Sequence, residues 1–351
     1  MATENLSIPG NTQVAELPRL TPRRLQILWG FLFITPWILG FLMFFLGPMA
    51  ASFYLSMTDY NIERGGDLHF IGLQHYKDMF SIDIDWVDDG GKPEYRQDDY
   101  QTAFNVGALY FGAKDYRFWK SIRVTLLYAC LLPFTLTLAL ILAILTNNQR
   151  VPGVTVFRTL FYLPTVIPLV VSSFVFQQIL RAKEGWLNLY LLAPLGIKGP
   201  QWLQDPDWAI FALGIIGIWG VGRPMLMFLA GLQNVPTELY EAARVDGAGA
   251  WRRLTKITLP VISPIILYNL VIGLIDTFQY FVVAYVLTNG RGGNDFSMYF
   301  YNLHIYKNAY TYFEMGYASA LAWVLMATVV TITALIFRSS SRWVFYSAGA
   351  K

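Results

Sequence analysis

The sequence predicts an all-α integral membrane fold, a bundle of six transmembrane helices with one long loop on the outer side. Three observations predict it. Of the 351 residues, 55% are hydrophobic and only 14% are charged, whereas a soluble domain carries about 25% charged residues. The surplus apolar surface has to face lipid. Six apolar runs reach the roughly 20 residues that a helix needs to cross a hydrocarbon core of about 30 Å. Basic residues also concentrate in alternate connecting segments, the bias that orients membrane proteins.

The spans cover approximately 28–57, 121–145, 155–180, 208–232, 261–288 and 317–337. Each must be helical, because within lipid every backbone polar group has to be paired inside its own segment. The first run is far longer than the 7–15 apolar residues of a secretory leader, so it reads as an uncleaved span behind a tail over 1–27. Pro36, Gly47-Pro48, Pro133, Pro164 and Pro168 punctuate the spans. Such breaks are tolerated where neighbouring helices re-pair the backbone, which implies a packed bundle. With the N-terminus inside, the inner segments hold Arg19, Arg23 and Arg24, then Arg150 and Arg158, then Arg244, Arg252, Arg253 and Lys256, then Arg338, Arg342 and Lys351. The short outer loops hold only Arg181, Lys183 and Lys198, then Arg291 and Lys307. Both termini, including the tail over 338–351, are therefore expected on the cytoplasmic side of the cell membrane.

Residues 58–120 form the one long connection and are expected outside. They carry Asp83, Asp85, Asp88, Asp89, Asp98 and Asp99 with Gly90-Gly91 and Pro93, but no calcium-loop spacing. They read as a solvated loop beside the pore mouth, with one short helix over 101–118. Cys130 lies in an apolar run and reads as a small packing residue. His69, His75 and His304 are scattered over polar loops without metal-ligand spacing, so no metal or other cofactor is expected. A net charge of +3 is small and says little about partners, and no nucleic-acid partner is expected.

The most informative stretch is 234–264, NVPTELYEAARVDGAGAWRRLTKITLPVISP, between the fourth and fifth spans. Asn234 or Thr237 suits a helix cap and Pro236 a first turn. Glu238 and Glu241 then lie near the positive end of the helix dipole. Leu239, Ala242 and Ala243 make a narrow apolar face. Gly247 and Gly249 allow a sharp turn, after which Trp251 to Leu259 leads through Pro260 back into the membrane. The small alanines permit close approach of another surface; the plain alternative is an amphipathic helix resting on headgroups.

Glu241-Ala242-Ala243, three residues, Gly247, nine residues, then Ile257-Thr258-Leu259-Pro260 resembles the EAA signature of ABC importer permeases. The wording ELYEAARVDGAGAWRRLTKITLP is similar to the carbohydrate-uptake branch of that family. LFITPWILGFLMFFLGPMAASFYLSMTDY, FRTLFYLPTVIP, YVLTNG and GYASALAW extend the resemblance in weaker form over the chain. One departure is Asn289-Gly290-Arg291-Gly292-Gly293, where the family often has Gly-Gly-Pro. The resemblance implies a six-helix permease like those of type I importers, with cytoplasmic coupling helices. Loop 234–260 would dock into a groove of a cytoplasmic ATPase, with Glu241, Ala242, Ala243, Asp246 and Gly247 as coupling residues inside a permease core over 121–337. It also implies a second homologous permease, two ATPase subunits and an extracytoplasmic solute-binding protein. The cargo would be a mono- or oligosaccharide, or a related polyol or glycerol phosphate.

Polar residues within spans are costly and usually face a cavity or the bundle interior. Span five supplies Asn269, Asp276 and Gln279 with Tyr280 and Tyr285 nearby, and the spacing lets Asn269, Asp276 and Tyr280 share one helix face. Span four adds Trp219 and Arg223, and span three adds Gln177 and Gln178. A sugar path needs such amides and carboxylates beside flat rings; the alternatives are interhelical hydrogen bonds and an Asp276–Arg223 salt bridge. Tyr299, Tyr301, Tyr306, Tyr310 and Tyr312 fit an outer aromatic belt. No G-x-x-x-x-G-K-[ST] loop occurs, so ATP hydrolysis would belong to partner chains and this chain is not itself read as an enzyme. An ion-coupled secondary transporter would call for two similar halves, and no convincing repeat is seen. A membrane-embedded enzyme would call for an acid–base or nucleophile cluster near one interface, and none stands out.

Overall fold

The computed structural model describes residues 22–65, 68–87, 95, 99–148 and 152–346, and side chains from residue 26 onward. Arg19, Arg150, Lys351, Asp88, Asp89, Gly90, Gly91, Pro93 and Asp98, with the side chains of Arg23 and Arg24, lie outside the described residues. The chain divides into two compact units after Tyr54.

The first unit is one apolar rod. Helix α1 (Pro22–Phe41) passes through a π-turn (Leu42–Leu46) into α2 (Gly47–Leu55). Pro48 lacks an N–H, and the turn ahead of it widens, the usual response to a missing i→i−4 bond. Trp37, Phe41 and Phe45 stack along it at 5.6 and 5.3 Å.

The second unit begins with a small domain that the all-α expectation did not contain. Helix α3 (Gln74–Phe80) is followed by strands β1 (Ile82–Trp86), β2 (Gln101–Val106) and β3 (Leu109–Ala113), an antiparallel sheet in the order β1-β3-β2. The helix expected over 101–118 is thus a β-hairpin up to Ala113. Helical structure starts only at α4 (Tyr116–Ala129), which Asp115 caps by accepting the Phe118 N–H at 3.0 Å.

α4 runs into α5 (Leu132–Asn147) through Cys130, which is exposed at the break rather than packed. α6 (Val154–Tyr162) and α7 (Leu169–Ile179) follow, then α8 (Pro206–Trp219) and α9 (Gly222–Gln233). Among the described residues, four helices are long and apolar enough to cross a membrane. These are Gln26–Leu55, Tyr116–Asn147, Ala250–Thr288 and Met315–Ser340, or up to six spans if each of two bent pairs counts as one. The α6–α7 pair bends by 102° around Pro164 and Pro168, and the α8–α9 pair by 47° at Gly220. Helix α10 (Thr237–Val245), the short α11 (Ala250–Arg253) and a π-turn (Leu254–Thr258) lead into α12 (Leu259–Phe278) and α13 (Val282–Thr288). Helices α14 (Tyr301–Tyr310) and α15 (Met315–Ser340) complete the chain.

Three buried clusters hold this unit together. Ala139, Met225, Phe228, Leu229 and Ile262 lock α5, α9 and α12. Phe176, Leu213, Ile216, Ala284 and Phe300 join α7, α8 and α13. Met79, Phe118, Tyr301 and Leu321 tie α3 to α4, α14 and α15. The Asn289–Gly293 run that departs from the family pattern coils through left-handed positions at Asn289, Gly290, Gly292 and Gly293.

Candidate functional site: an exposed turn and a polar cavity

Loop 234–260 stands out from the rest of its unit. α10 starts after Pro236, which occupies the cap position rather than the first turn, and neither Asn234 nor Thr237 caps it through a side chain. Val235 is buried beneath it, and the Tyr240 hydroxyl meets that of Thr258 at 2.9 Å, clamping α10 to the π-turn. Tyr240 and the half-buried Ala243 face inward. Leu239, Ala242 and Val245 face out, with Val245 89% exposed.

At the C-terminal end of α10, Ala248 N–H bonds Ala243 O at 2.8 Å and Gly247 N–H bonds Arg244 O at 3.1 Å. This is a Schellman closure, with Gly247 at φ +73° in the left-handed position that favours glycine. A Cβ on Gly247 would meet no atom within 4 Å. Within this chain the position is open, so among the described residues it is the left-handed backbone alone that favours glycine here. Gly249, by contrast, has an ordinary φ of −66° and starts α11. Glu241, Ala242, Asp246 and Gly247 are exposed together on the protrusion, with Trp251 76% exposed beyond the turn.

The second feature is a cavity of about 460 Å³ among the α4–α5 break, the α8–α9 bend and α12. It brings together three of the polar residues singled out in the sequence, Arg223, Asn269 and Asp276. Arg223 and Asp276 are exposed into it, and among the described residues no ion pair within 4.0 Å joins them. Asn269 is buried and donates to Ile265 O at 3.0 Å, one turn back. Tyr128, Tyr268, Thr135 and Thr277 also line the cavity, with Gly214, Gly217 and Gly220 along one wall. The three-residue spacing of those glycines on span four was the available sequence signal, and it marks a face without side chains. Gly222 at the bend touches the opposite helix, where a Cβ would lie 2.0 Å from Phe161 O.

Three other residues are elsewhere. α12 ends at Phe278, so Gln279 and Tyr280 fall in the break before α13 and off the Asn269–Asp276 face. Gln279 is exposed, while Tyr280 packs against Tyr128 at 4.5 Å and Phe300 at 4.8 Å. Trp219 packs edge-on against Phe176 at 5.7 Å, beside a separate void of about 60 Å³.

A more polar cavity of about 550 Å³ lies where α3, α4, α14 and α15 meet. Most of its lining is paired internally. Asp115 accepts from His304 Nε2 at 2.9 Å and from the Tyr317 hydroxyl, and Lys114 pairs with Asp78 at 3.2 Å. Arg117 donates to the Tyr312 hydroxyl at 3.2 Å. Burial pushes the Asp115 carboxyl up, but the hydrogen bond and charge of His304, with Tyr317 and the Phe118 N–H, outweigh it and hold the group below its ordinary value. Tyr299 and Tyr301, expected in an aromatic belt, are buried here, and the Tyr299 hydroxyl lies 3.1 Å from His304 Nδ1.

The family described as "Binding-protein-dependent transport system inner membrane component" matches residues 135–345, which include both the cavity and the turn. The chain is 37% identical over 321 residues to "Probable ABC transporter permease protein YesP" of Bacillus subtilis (strain 168), covering 91% of this chain and 92% of that one. It is 29% identical over 314 residues to the arabinooligosaccharides transport system permease protein AraP of the same organism, covering 88% of each. A chain in the crystal structure of a bacterial alginate ABC transporter, bound to an alginate pentasaccharide-loaded periplasmic protein, superposes with a TM-score of 0.69. That match covers 91% of this chain and 96% of the other at 23% identity, a likeness of fold. With its apolar helices and this match over more than half its length, the chain belongs to the family of binding-protein-dependent transport system inner membrane components, the membrane-embedded permeases of ABC transporters.

Proposed function

We propose that this chain is one permease subunit of an ATP-driven importer that carries a sugar, an oligosaccharide or a related polyol across the cell membrane. The observation that carries the reading is the exposed α10–Gly247–α11 turn, on which Glu241, Ala242, Asp246 and Gly247 are exposed together, with the half-buried Ala243 behind them. Glu241, Ala242, Asp246 and Gly247 form the surface that docks on a cytoplasmic ATPase, and the small, half-buried Ala243 supports it from the inner side of α10. Closure of the ATPase pair then biases the permease between two arrangements through this lever. In this reading the chain has six spans, each bent pair counting as one, with both termini inside and residues 58–120 outside, in keeping with the basic residues of the inner segments.

The cargo passes through the cavity lined by Arg223, Asn269, Asp276, Tyr128 and Tyr268. Its carboxylate, guanidinium and amide match hydroxyl groups, and its rings supply flat apolar surface. The cavity lies where span four bends and span two breaks, and interrupted helices free backbone groups to line a site. The names of the AraP and alginate relatives support a carbohydrate cargo. A second homologous permease completes the path, a solute-binding protein delivers the cargo, and two ATPase subunits hydrolyse ATP.

The test is purification from native membranes under mild conditions. Stoichiometric recovery of an ATPase and a second permease is expected, with ATP-dependent uptake after reconstitution. Uptake by the purified chain alone, driven by an ion gradient, would overturn the proposal.

A further inference from the structure

The three-stranded sheet has two chemically different faces. Antiparallel register places Ile84, Phe111 and Phe104 in one row and Trp86, Leu109 and Val106 in the next, on the same face. The opposite face carries Asp83 beside Gly112 and Thr102, then Asp85 beside Tyr110 and Asn105. Tyr95 covers part of this polar face: its hydroxyl meets Thr102 Oγ1 at 2.7 Å, and its ring takes the space a Cβ on Gly112 would need. The apolar face is only partly covered. Phe104 stacks on Phe111 at 4.5 Å and reaches Trp119 of α4 at 6.4 Å, yet Ile84 is 58%, Trp86 64% and Val106 65% exposed. Phe80, in edge contact with Phe118 at 5.5 Å, extends the patch at 53% exposure.

We propose that this apolar face rests on the outer leaflet of the membrane, so that the sheet is a lipid-seated platform beside the transport path. Contiguous exposed apolar surface of this kind marks an interaction site, and three observations select lipid as the occupant. The patch continues through Trp119 onto α4, the first turns of a span that enters the membrane. β3 ends at Ala113 and α4 begins at Tyr116, a connection that reaches about 10 Å at most when extended, so the sheet stays at the membrane boundary. Asp83 and Asp85 sit on the face away from the patch, directed off the headgroup phosphates. β1 and β2 are the edge strands of the sheet, and a sheet that is not closed into a barrel is not stable in hydrocarbon. The sheet therefore lies at the headgroup level, with only Ile84, Trp86, Val106 and Phe80 dipping toward the acyl chains, as an interfacial amphipathic helix does.

The inference rests on the proposed topology with residues 58–120 outside, and the experiment separates the two. Ile84→Cys and Asp83→Cys are each spin-labelled in a Cys130→Ser background of the full chain, assembled with its partner subunits in proteoliposomes. Collision rates are measured with oxygen, which concentrates in acyl chains, and with a water-soluble nickel chelate. The Ile84→Cys label is expected to favour oxygen severalfold, and the Asp83→Cys label to favour nickel. Both labels favouring nickel would place the face in water and overturn the proposal. An Ile84→Cys label shielded from both reagents would show a protein subunit covering the face, and would overturn it equally. Separately, a membrane-impermeant thiol reagent should modify Asp83→Cys from the outside of spheroplasts. Modification only in inside-out vesicles refutes the topology, whichever way the collision rates fall.

Discussion

At the scale of single residues, Asp276 and Arg223 line one cavity with no ion pair within 4.0 Å between them among the described residues, and in the proposed path both face the cargo. Loss of one directed hydrogen bond from a charged group costs about 1.5–3 kcal/mol. Asp276→Asn is therefore expected to lower reconstituted uptake roughly tenfold or more while leaving assembly with the ATPase intact. Uptake at the wild-type rate would remove Asp276 from the path. Asp115 has a structural role, joining the first turn of α4 to His304 of α14 and Tyr317 of α15. Its carboxyl titrates below the ordinary value in the folded chain. The stability it contributes is thus fully present above the unfolded value of about 3.9 and is lost as pH falls through the lower folded value. Asp115→Asn should lower the thermal midpoint in detergent at pH 7, and the gap from wild type should close only below about pH 4. A gap independent of pH would show that shape, not charge, is what Asp115 supplies.

At the scale of elements, the α10 turn separates two roles of Gly247. A β-branched or bulky residue there bears left-handed strain of about 1–2 kcal/mol, whereas asparagine tolerates that conformation. Gly247→Asn should keep the helix end and retain part of the coupled ATPase activity. Gly247→Trp should still insert in the membrane but lose ATPase association if, as proposed, the partner docks against the open space at Gly247. Equal uptake by wild type and Gly247→Trp would exclude the turn from coupling. At the α8–α9 bend, Gly222→Ala puts a methyl against the Phe161 carbonyl, where the backbone has to shift. A loss of about 1–3 kcal/mol is expected for such overpacking, read as a lower midpoint in thermal unfolding, with uptake impaired because the cavity lies at the bend. The sheet shows why some elements were harder to read. IDIDW alternates with period two and Gly107 turns the hairpin, but β1 finds β3 only across more than twenty residues. The intervening aspartates and glycines read as a solvated loop, and strands this short are stable only once paired and packed on Trp119.

At the scale of the whole molecule, the charge bias predicts that phosphatase fusions active only outside the cytoplasm will be silent at both ends of the chain and active within residues 58–120. An active fusion at either terminus would contradict six spans with both ends inside. Membrane character, the apolar runs and the turn of loop 234–260 were legible because each is carried by a local signal. An apolar run of about 20 residues has few alternatives to a spanning helix, and the EAA residues are contiguous. The prolines around 164–168 flagged a weak point in span three, though not the 102° angle, which depends on what α7 packs against. Arg223 and Asp276 were recognisable as intramembrane charges, and their shared cavity could be guessed. Tyr128 and Tyr268 were not distinguishable from other aromatics until helices α4, α8 and α12 had converged. Tyr301 looked like a belt residue because it is held by Thr125 and Leu321, far from it in the chain, and Tyr299 because its partner His304, though only five residues away, is itself fixed by Asp115. By itself, the sequence determined that the chain lies in a membrane and carries a protruding EAA turn, since hydrophobicity and backbone closure act over a few residues. Only the tertiary structure decided which charges meet in a cavity, where the spans break and that residues 82–113 hold a sheet, because those outcomes depend on packing between distant segments.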